Sequence, residues 1–453
     1  MEKAFYIETF GCQMNVHDSE KVRGVLAERG YDEVADPEAA GLILYNTCSI
    51  RDKAEQKVFA RLSNIKRRTK GKIVGVLGCV AQHSGEAIFE QAPHVDLVCG
   101  SASYNELSAL MDRIESGERR VVGLGLDSDE TFDVPAATRD NPFSAFLTII
   151  EGCDKNCSYC VVPFTRGPER SRASASVMDE ARRLAATGYS EITLLGQTVN
   201  SYRDPSEAGW SFARLLDEVG SIQGIRRVRF TTSHPRDFTL DIVEAMDRNS
   251  ALCDMVHLPV QSGSGKVLAG MRRTYSRDEY MRCIDVIKSA RRDIVLSSDI
   301  IVGFPGESED DFEQTLSLIR EVEYAQLFAF KYSPRRGTDA IDYANPVPEE
   351  EKSRRLATLQ ETQRAIQSRR NVERIGREEE AMVERYRAKT GQWIGRTTQN
   401  RVLNFSAPQA ENSDDLRGSY CRVKVTAATP NSLVGELVAQ VIASPAPGLR
   451  VLQ

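Results

Sequence analysis

The chain of 453 residues has no run of about 18 apolar residues such as a membrane-spanning helix requires. Its first residues, MEKAFYIETFG, lack the basic start and long apolar stretch of a signal peptide. A cytoplasmic protein with no membrane attachment is expected. Excess basic charge is also missing: 59 Lys and Arg stand against 65 Asp and Glu, a formal net charge of −6. That balance excludes nucleic-acid binding driven by charge over the whole molecule, so any RNA contact must come from local patches. With 41% hydrophobic residues the chain can bury substantial cores, and its length implies two or three domains.

Cysteine, by contrast, is plentiful, with ten in the chain. A reducing cytoplasm does not favour a disulfide framework, so clustered cysteines suggest metal binding or catalysis and scattered ones suggest packing. From the start to about residue 122 the apolar runs AFYIETF, LILYNT, KIVGVLG and DLVCG alternate with helical stretches, which implies a parallel sheet covered on both faces. Three runs end alike. Cys12 follows Gly11, Cys48 follows Thr47 and Cys79 follows Gly78, each just before an expected helix. In open α/β sheets such strand ends lie along one edge, where ligands bind, so the three would meet in space. A lone free cysteine at a strand end is more often packing than ligand. Three at equivalent edge positions, with Gln13, Asn15, Asn46 and Ser49 beside them, favour a metal site. Cys99 also ends an apolar run, and there a fourth ligand and simple burial are equally open.

Residues 123–141 are polar and contain proline, as expected of a linker. The strongest signal follows at residues 151–160, EGCDKNCSYC, where Cys153, Cys157 and Cys160 have the spacing CxxxCxxC. Zinc sites usually use two separated ligand pairs, whereas three thiolates in one short loop suit a cubic iron-sulfur cluster with one iron left open. A plain electron-transfer cluster is the rival reading, with Cys253 or Cys283 as its fourth ligand. Beyond the loop, FLTIIEG, EITLLGQ, RRVRFTTSHP, DMVHLPVQS, IVLSSDIIVG and YAQLFAFKYS are six strand-like runs at regular spacing, an incomplete (β/α) barrel whose chemistry should sit at the carboxyl ends of its strands. His234, next to Pro235, reads as structural. After a charged helical stretch, about five short strands with turn signals imply a small antiparallel β-barrel, and residues 444–453 are expected to be disordered.

Together, three edge cysteines in an α/β domain, CxxxCxxC opening a partial barrel and a terminal β-barrel resemble the radical S-adenosylmethionine methylthiotransferases over nearly the whole chain. ETFGCQMNVHDSE, YNTCSIRDKAEQKVF and EGCDKNCSYCVVPFTRG are most similar to the branch acting on isopentenylated adenosine in tRNA. The ribosomal-protein branch typically has GCPKN at the first motif, and the threonylcarbamoyl-adenosine branch GCKVN. The resemblance implies an α/β domain at 1–122 with an auxiliary 4Fe-4S cluster on Cys12, Cys48 and Cys79. A partial (β/α)6 radical core at 139–374 would hold a second 4Fe-4S cluster on Cys153, Cys157 and Cys160, and a TRAM-like RNA-binding barrel would occupy 375–443.

The implied reaction inserts a methylthio group at carbon 2 of the adenosine next to the anticodon. Reductive cleavage of S-adenosylmethionine would supply a 5′-deoxyadenosyl radical, and the auxiliary cluster would carry the sulfur. Tyr159, Gln197, Gln261, Asp299 and Ile301 match positions around the S-adenosylmethionine. The implied partners are the tRNA anticodon stem-loop, an electron donor such as flavodoxin or ferredoxin, and a sulfur donor, with the chain acting as a monomer. Arg396, Arg401, the stretch RLSNIKRRTKGK and the pair Arg272 and Arg273 are basic candidates for phosphate contact. The terminal barrel carries no cluster ligand, so its removal is expected to cost RNA affinity far more than chemistry. Two other readings remain: a methylthiotransferase for threonylcarbamoyl-adenosine tRNA or a ribosomal protein, and a non-catalytic iron-sulfur RNA-binding protein.

Overall fold

The computed structural model describes residues 3–49, 52–65, 71–126, 139, 141–407 and 416–441. Most of the expected linker, part of the basic stretch RLSNIKRRTKGK and the tail at 444–453 lie outside the described residues. The first part is an all-parallel sheet of β1 (Ala4–Phe10), β2 (Asp32–Glu33), β3 (Leu42–Thr47), β4 (Ile73–Gly78), β5 (Leu97–Cys99) and β6 (Val121–Gly123), in the order β2-β1-β3-β4-β5-β6. Its central strands are buried on both faces and accordingly apolar along most of their length, as in LILYNT and IVGVLG. On one face Phe5, Leu44 and Leu97 pack with Val22 and Leu26 of α1 (Gln13–Glu28). On the other, Ile43, Val74 and Val76 pack with Val58 and Leu62 of α2 (Asp52–Ile65). Three further helices complete this part: α3 (Cys79–Ser84), α4 (Ala87–Gln91) and α5 (Leu107–Glu115).

The second part opens with β7 (Ser144–Thr148), the two-residue hairpin strands β8 (Ile150–Glu151) and β9 (Arg170–Ser171), and the short α6 (Val162–Arg166) between them. Then α7 (Ser174–Ala186), β10 (Glu191–Leu195), α8 (Phe212–Gly220), β11 (Arg227–Phe230), α9 (Leu240–Arg248) and β12 (Met255–His257) alternate. They are followed by α10 (Gly265–Gly270), α11 (Arg277–Lys288), β13 (Val295–Val302), α12 (Glu309–Val322), β14 (Gln326–Lys331) and α13 (Glu349–Val372). The parallel triplets β7-β10-β11 and β12-β13-β14 meet through a parallel bridge between Val228 and Leu252 and through Ser233 N donating to His257 O at 3.0 Å. Six parallel strands therefore form one open half-barrel, as the six apolar runs imply.

The helices cover the outside of the half-barrel for a local reason visible in α8. Phe212, Leu215, Leu216 and Val219 form one apolar stripe in the main core, and Ser211 Oγ caps the helix by accepting from Arg214 N at 3.3 Å. Along the strands, Ile192, Leu194 and Val228 join that core, while the alternate residues Thr193, Arg229 and Asp299 point to the other face. The concave side is thus polar, which suits it to a ligand.

The third part is a closed barrel, β15-β16-β17-β19-β18, of β15 (Glu378–Arg387), β16 (Gln392–Thr397), β17 (Val402–Ser406), β18 (Tyr420–Ala428) and β19 (Leu433–Val441). One pair, β17 with β19, runs parallel, where a purely antiparallel barrel was expected. The barrel is not a separable appendage either. Arg227, 2% exposed, donates to Arg396 O at 2.7 Å and Glu380 O at 3.0 Å. Gln399 Nε2 reaches Asp293 O at 2.8 Å, and Arg226 stacks over the Tyr420 ring at 4.1 Å. These contacts gather at the amino-terminal ends of β10, β11 and β13, so the small barrel closes the floor of the half-barrel. No helix among the described residues is long and apolar enough to cross a membrane.

Candidate active site

Register brings the first three cysteines together. Phe10 pairs with Thr47 and Thr47 with Gly78, so Cys12, Cys48 and Cys79 leave three adjacent strands at one edge. Gly11 has φ +138°, and a Cβ there would collide with the Cys48 side chain. Gly78 has φ +85°, and a Cβ there would strike Asn46. Both glycines are therefore required by close approach and by backbone conformation. Beneath the thiols lies a buried amide network: Asn46 Nδ2 donates to Asn15 O and to Ser19 Oγ, each at 2.9 Å. Cys12 begins α1 and Cys79 begins α3, so two of the thiols sit at helix amino termini.

The environment treats these thiols unequally. Cys12 is held down to about 6 by the hydrogen bond from Cys48, against burial and with help from the Arg166 charge. Burial raises Cys79, opposed by Arg166. Cys99 does not join them. It pairs with Leu77, two residues short of the edge, and is fully buried in the core with Leu97 and Tyr104.

The second triad occupies the loop between β8 and β9. The hairpin pairs Ile150 with Ser171 and Glu151 with Arg170, and Cys153 N donates to Gly167 O at 3.2 Å, which closes the loop at its base. Ser158 N and Oγ bond Met271 O at 3.1 Å and Gly270 O at 2.8 Å, fastening the loop to α10. Burial pushes Cys153 up to about 11 and Cys160 up to about 12. Arg273 Nη1 donates to Cys157 Sγ at 3.5 Å. Cys253 sits among Arg229, Glu191 and Arg227 at the barrel floor, and Cys283 lies in the core of α11. The fourth-ligand alternatives therefore point away from this loop.

The residues expected around the S-adenosylmethionine line the concave side and its upper rim. Tyr159 packs with Phe304 in an aromatic cluster, with the ring centroids 6.5 Å apart. Gln197 Oε1 is buried with no hydrogen-bond partner. Gln261, at φ +72°, pairs through its backbone with β13, its N donating to Asp299 O and its O accepting from Ile301 N, both at 2.9 Å. A left-handed non-glycine residue held this way is strain of the kind found at ligand sites. Asp299 lies 3.5 Å from His257 Nε2, and Ile301 packs beside the aromatic cluster. His234 is buried against Tyr275, its Nδ1 accepting from Arg236 N at 3.3 Å. None of the basic candidates for which a contact is described presents a free cation. Arg61 pairs with Glu8, Arg272 with Asp339 and Arg396 with Glu384, while Arg401 bonds Asn371 and Arg273 turns inward to the second triad.

The donor sets fit iron-sulfur clusters. None of the six thiols is in a disulfide. Among the described residues no group of three or more His, Cys, Asp or Glu side chains is arranged for a single metal ion. A cube takes one thiolate per iron, so its ligands spread more widely than those of one zinc, where sulfur lies about 2.3 Å from the metal. Buried Thr47 Oγ1 and Ser49 Oγ, which flank Cys48, and Gln197 Oε1 after β10 have no hydrogen-bond partner.

The chain matches three families: "Uncharacterized protein family UPF0004" at residues 4–100, the Radical SAM superfamily at 147–319 and the TRAM domain at 372–438. Among solved structures, TsrM, a radical S-adenosylmethionine methyltransferase from Kitasatospora setae, has the same fold. It superposes with a TM-score of 0.56 at 15% identity, covering 75% of this chain and 74% of its own. The tRNA-2-methylthio-N(6)-dimethylallyladenosine synthase of Solibacter usitatus is 65% identical over 97% of this chain and 99% of its own length. Proteins of the same name from Koribacter versatilis and Aquifex aeolicus are 57% and 42% identical, over 96% and 97% of this chain and 98% and 99% of their own. At such identity over both full lengths, the chain belongs to the tRNA-2-methylthio-N(6)-dimethylallyladenosine synthase (MiaB) family of radical S-adenosylmethionine enzymes.

Proposed function

We propose that the chain inserts a methylthio group at carbon 2 of an isopentenylated adenosine next to the tRNA anticodon. The observation that carries this reading is the pairing of two separate thiol triads, one at a sheet edge and one in a barrel loop, in a chain whose full-length relatives bear that synthase name. Residues 1–122 form the domain of the auxiliary cluster, on Cys12, Cys48 and Cys79. Residues 139–374 form the radical core, with its cluster on Cys153, Cys157 and Cys160, and residues 375–443 form the TRAM-like domain. Bound clusters and S-adenosylmethionine supply the one-electron chemistry, sulfur and methyl group that an unactivated aromatic C–H bond demands.

The protein's own contribution is placement. Gln261, left-handed, locks the strand end to β13 through its backbone, Gln197 offers a buried acceptor, and Asp299, steadied by His257, offers a carboxylate on the concave face. Tyr159 and Ile301 add apolar surface. The electron donor is a flavodoxin or ferredoxin, a separate sulfur donor replenishes the auxiliary cluster, and the enzyme works as a cytoplasmic monomer.

The test is mass analysis of tRNA nucleosides from cells lacking the protein, with assays of purified enzyme. Isopentenylated tRNA should be methylthiolated. Unmodified tRNA should be disfavoured by at least the roughly 1–3 kcal/mol of a filled apolar pocket. Comparable turnover on threonylcarbamoylated tRNA or a ribosomal protein overturns the substrate assignment.

A further inference from the structure

The loop of the second triad runs directly into α6, and α6 packs on α3, the helix that begins at Cys79. Arg166 ends α6 with 3% exposure, and its guanidinium crosses from the half-barrel into the first domain. There it forms a two-pronged pair with Asp18 of α1, Nη2 to Oδ2 at 2.5 Å and Nη1 to Oδ1 at 3.3 Å. Asp18 is itself 1% exposed and lies six residues after Cys12 on the helix that Cys12 begins. The same positive charge opposes the burial that raises Cys79 and helps to hold Cys12 down. Ser101 Oγ, donating to Thr165 O at 2.7 Å, ties α6 to the first domain one residue earlier.

A positive charge that acts on the first triad therefore belongs to the domain that carries the second triad. A guanidinium stays charged in proteins, and here the buried Asp18 carboxylate faces it. A fixed cation beside a cluster of thiolates favours the state with one more electron, and it does so strongly where water is excluded. A carboxylate against that cation screens part of the effect.

We propose that Arg166 is a positioning residue that raises the reduction potential of the auxiliary cluster, and that Asp18 sets how much of its charge the cluster feels. This rests on the reading that Cys12, Cys48 and Cys79 hold that cluster. It also makes the cluster's potential depend on docking of the two domains, since the charge comes from across the interface.

The test uses the full chain with Cys153→Ala, Cys157→Ala and Cys160→Ala, so that one cluster remains. Iron per chain and the midpoint potential are measured after anaerobic reconstitution, the potential by redox titration followed with electron paramagnetic resonance. Arg166→Gln should shift the potential down, Asp18→Asn should shift it up, and Arg166→Lys should stay near the parent. A general loosening of the site would move both neutralising variants the same way, so opposite signs support the proposal. Equal potentials, or shifts of one sign, at full cluster loading overturn it. If Arg166→Gln fails to load, the direction of the Asp18→Asn shift alone decides. Absence of iron from the parent background removes the ligand reading and this proposal with it, and iron analysis rather than potential separates that case.

Discussion

Arg229, on the concave face of the half-barrel, donates to the main-chain carbonyls of Thr397 at 2.8 Å and Thr398 at 3.2 Å, in the turn between β16 and β17. A half-buried arginine on one domain is thus satisfied by the backbone of another. Its Nε–H faces Glu191, with Nε 3.0 Å from Oε2. The small barrel expected to stand apart from the half-barrel is also its floor.

Removal of residues 377–453 should therefore damage the half-barrel as well as RNA binding. Arg227 would lose its bonds to Arg396 and Glu380, Arg229 would keep only Glu191, and the strand ends that the barrel covers would open to water. The truncated protein should show a lower thermal midpoint and impaired cleavage of S-adenosylmethionine. Unaltered cleavage and melting would mean that the floor is dispensable.

Gly11→Ala should remove the auxiliary cluster while sparing the radical one. The new Cβ would overlap the Cys48 side chain in a backbone conformation that only glycine adopts readily. After reconstitution the chain should hold about half of the roughly eight irons expected for two cubes. Full loading would show that the edge can relax around the added carbon.

Much of this was legible because regular elements follow local rules. LILYNT and IVGVLG are mostly apolar because both faces are covered, and the cysteines that follow them mark the edge. β2 escaped because Asp32–Glu33 is short and polar and is recruited only by pairing with β1. The polar sequence of α1 suggests a solvated helix. Instead His17, Asp18, Glu20 and Lys21 are buried against the half-barrel, where Lys21 lies 3.6 Å from Glu151 and Arg139 lies 3.4 Å from Glu20. An interdomain face carries no periodic apolar signal, so neither that face nor Arg166 could be recognised before the domains were docked. The inward turn of Arg273 towards Cys157 is hidden for the same reason, since a solvated arginine and a half-buried one look alike in sequence.

Acid should destabilise the protein before its carboxylates titrate. Burial, reinforced by nearby positive charge, lowers His17 well below the ordinary range and holds His234 down to about 3. The unfolded chain takes up protons near pH 6.5, where the folded chain does not, so stability present above that pH falls as the pH drops towards 3. Each histidine contributes a slope of up to about 1.4 kcal/mol per pH unit. Denaturant titrations between pH 7 and 5 should show a shallower slope for His234→Gln than for the parent, and identical slopes would mean that this imidazole charges freely.

Arg273 should prove necessary for the second cluster and not for the first. Besides Cys157, it bonds Pro259 O at 3.1 Å through Nη2 and Tyr275 OH at 2.9 Å through Nε, and its guanidinium lies 5.0 Å from the Tyr275 ring centroid. One planar fork thus joins the cysteine loop to the end of β12, which a lysine cannot reproduce because it lacks the fork. Each hydrogen bond from a charged group contributes about 1.5–3 kcal/mol. Arg273→Met and Arg273→Lys should both lower cluster retention at Cys153, Cys157 and Cys160, the methionine more severely, while iron at the first triad is unchanged. Iron analysis of these variants with Cys12, Cys48 and Cys79 changed to alanine isolates the second site. Full loading of Arg273→Met in that background would reduce the residue to packing.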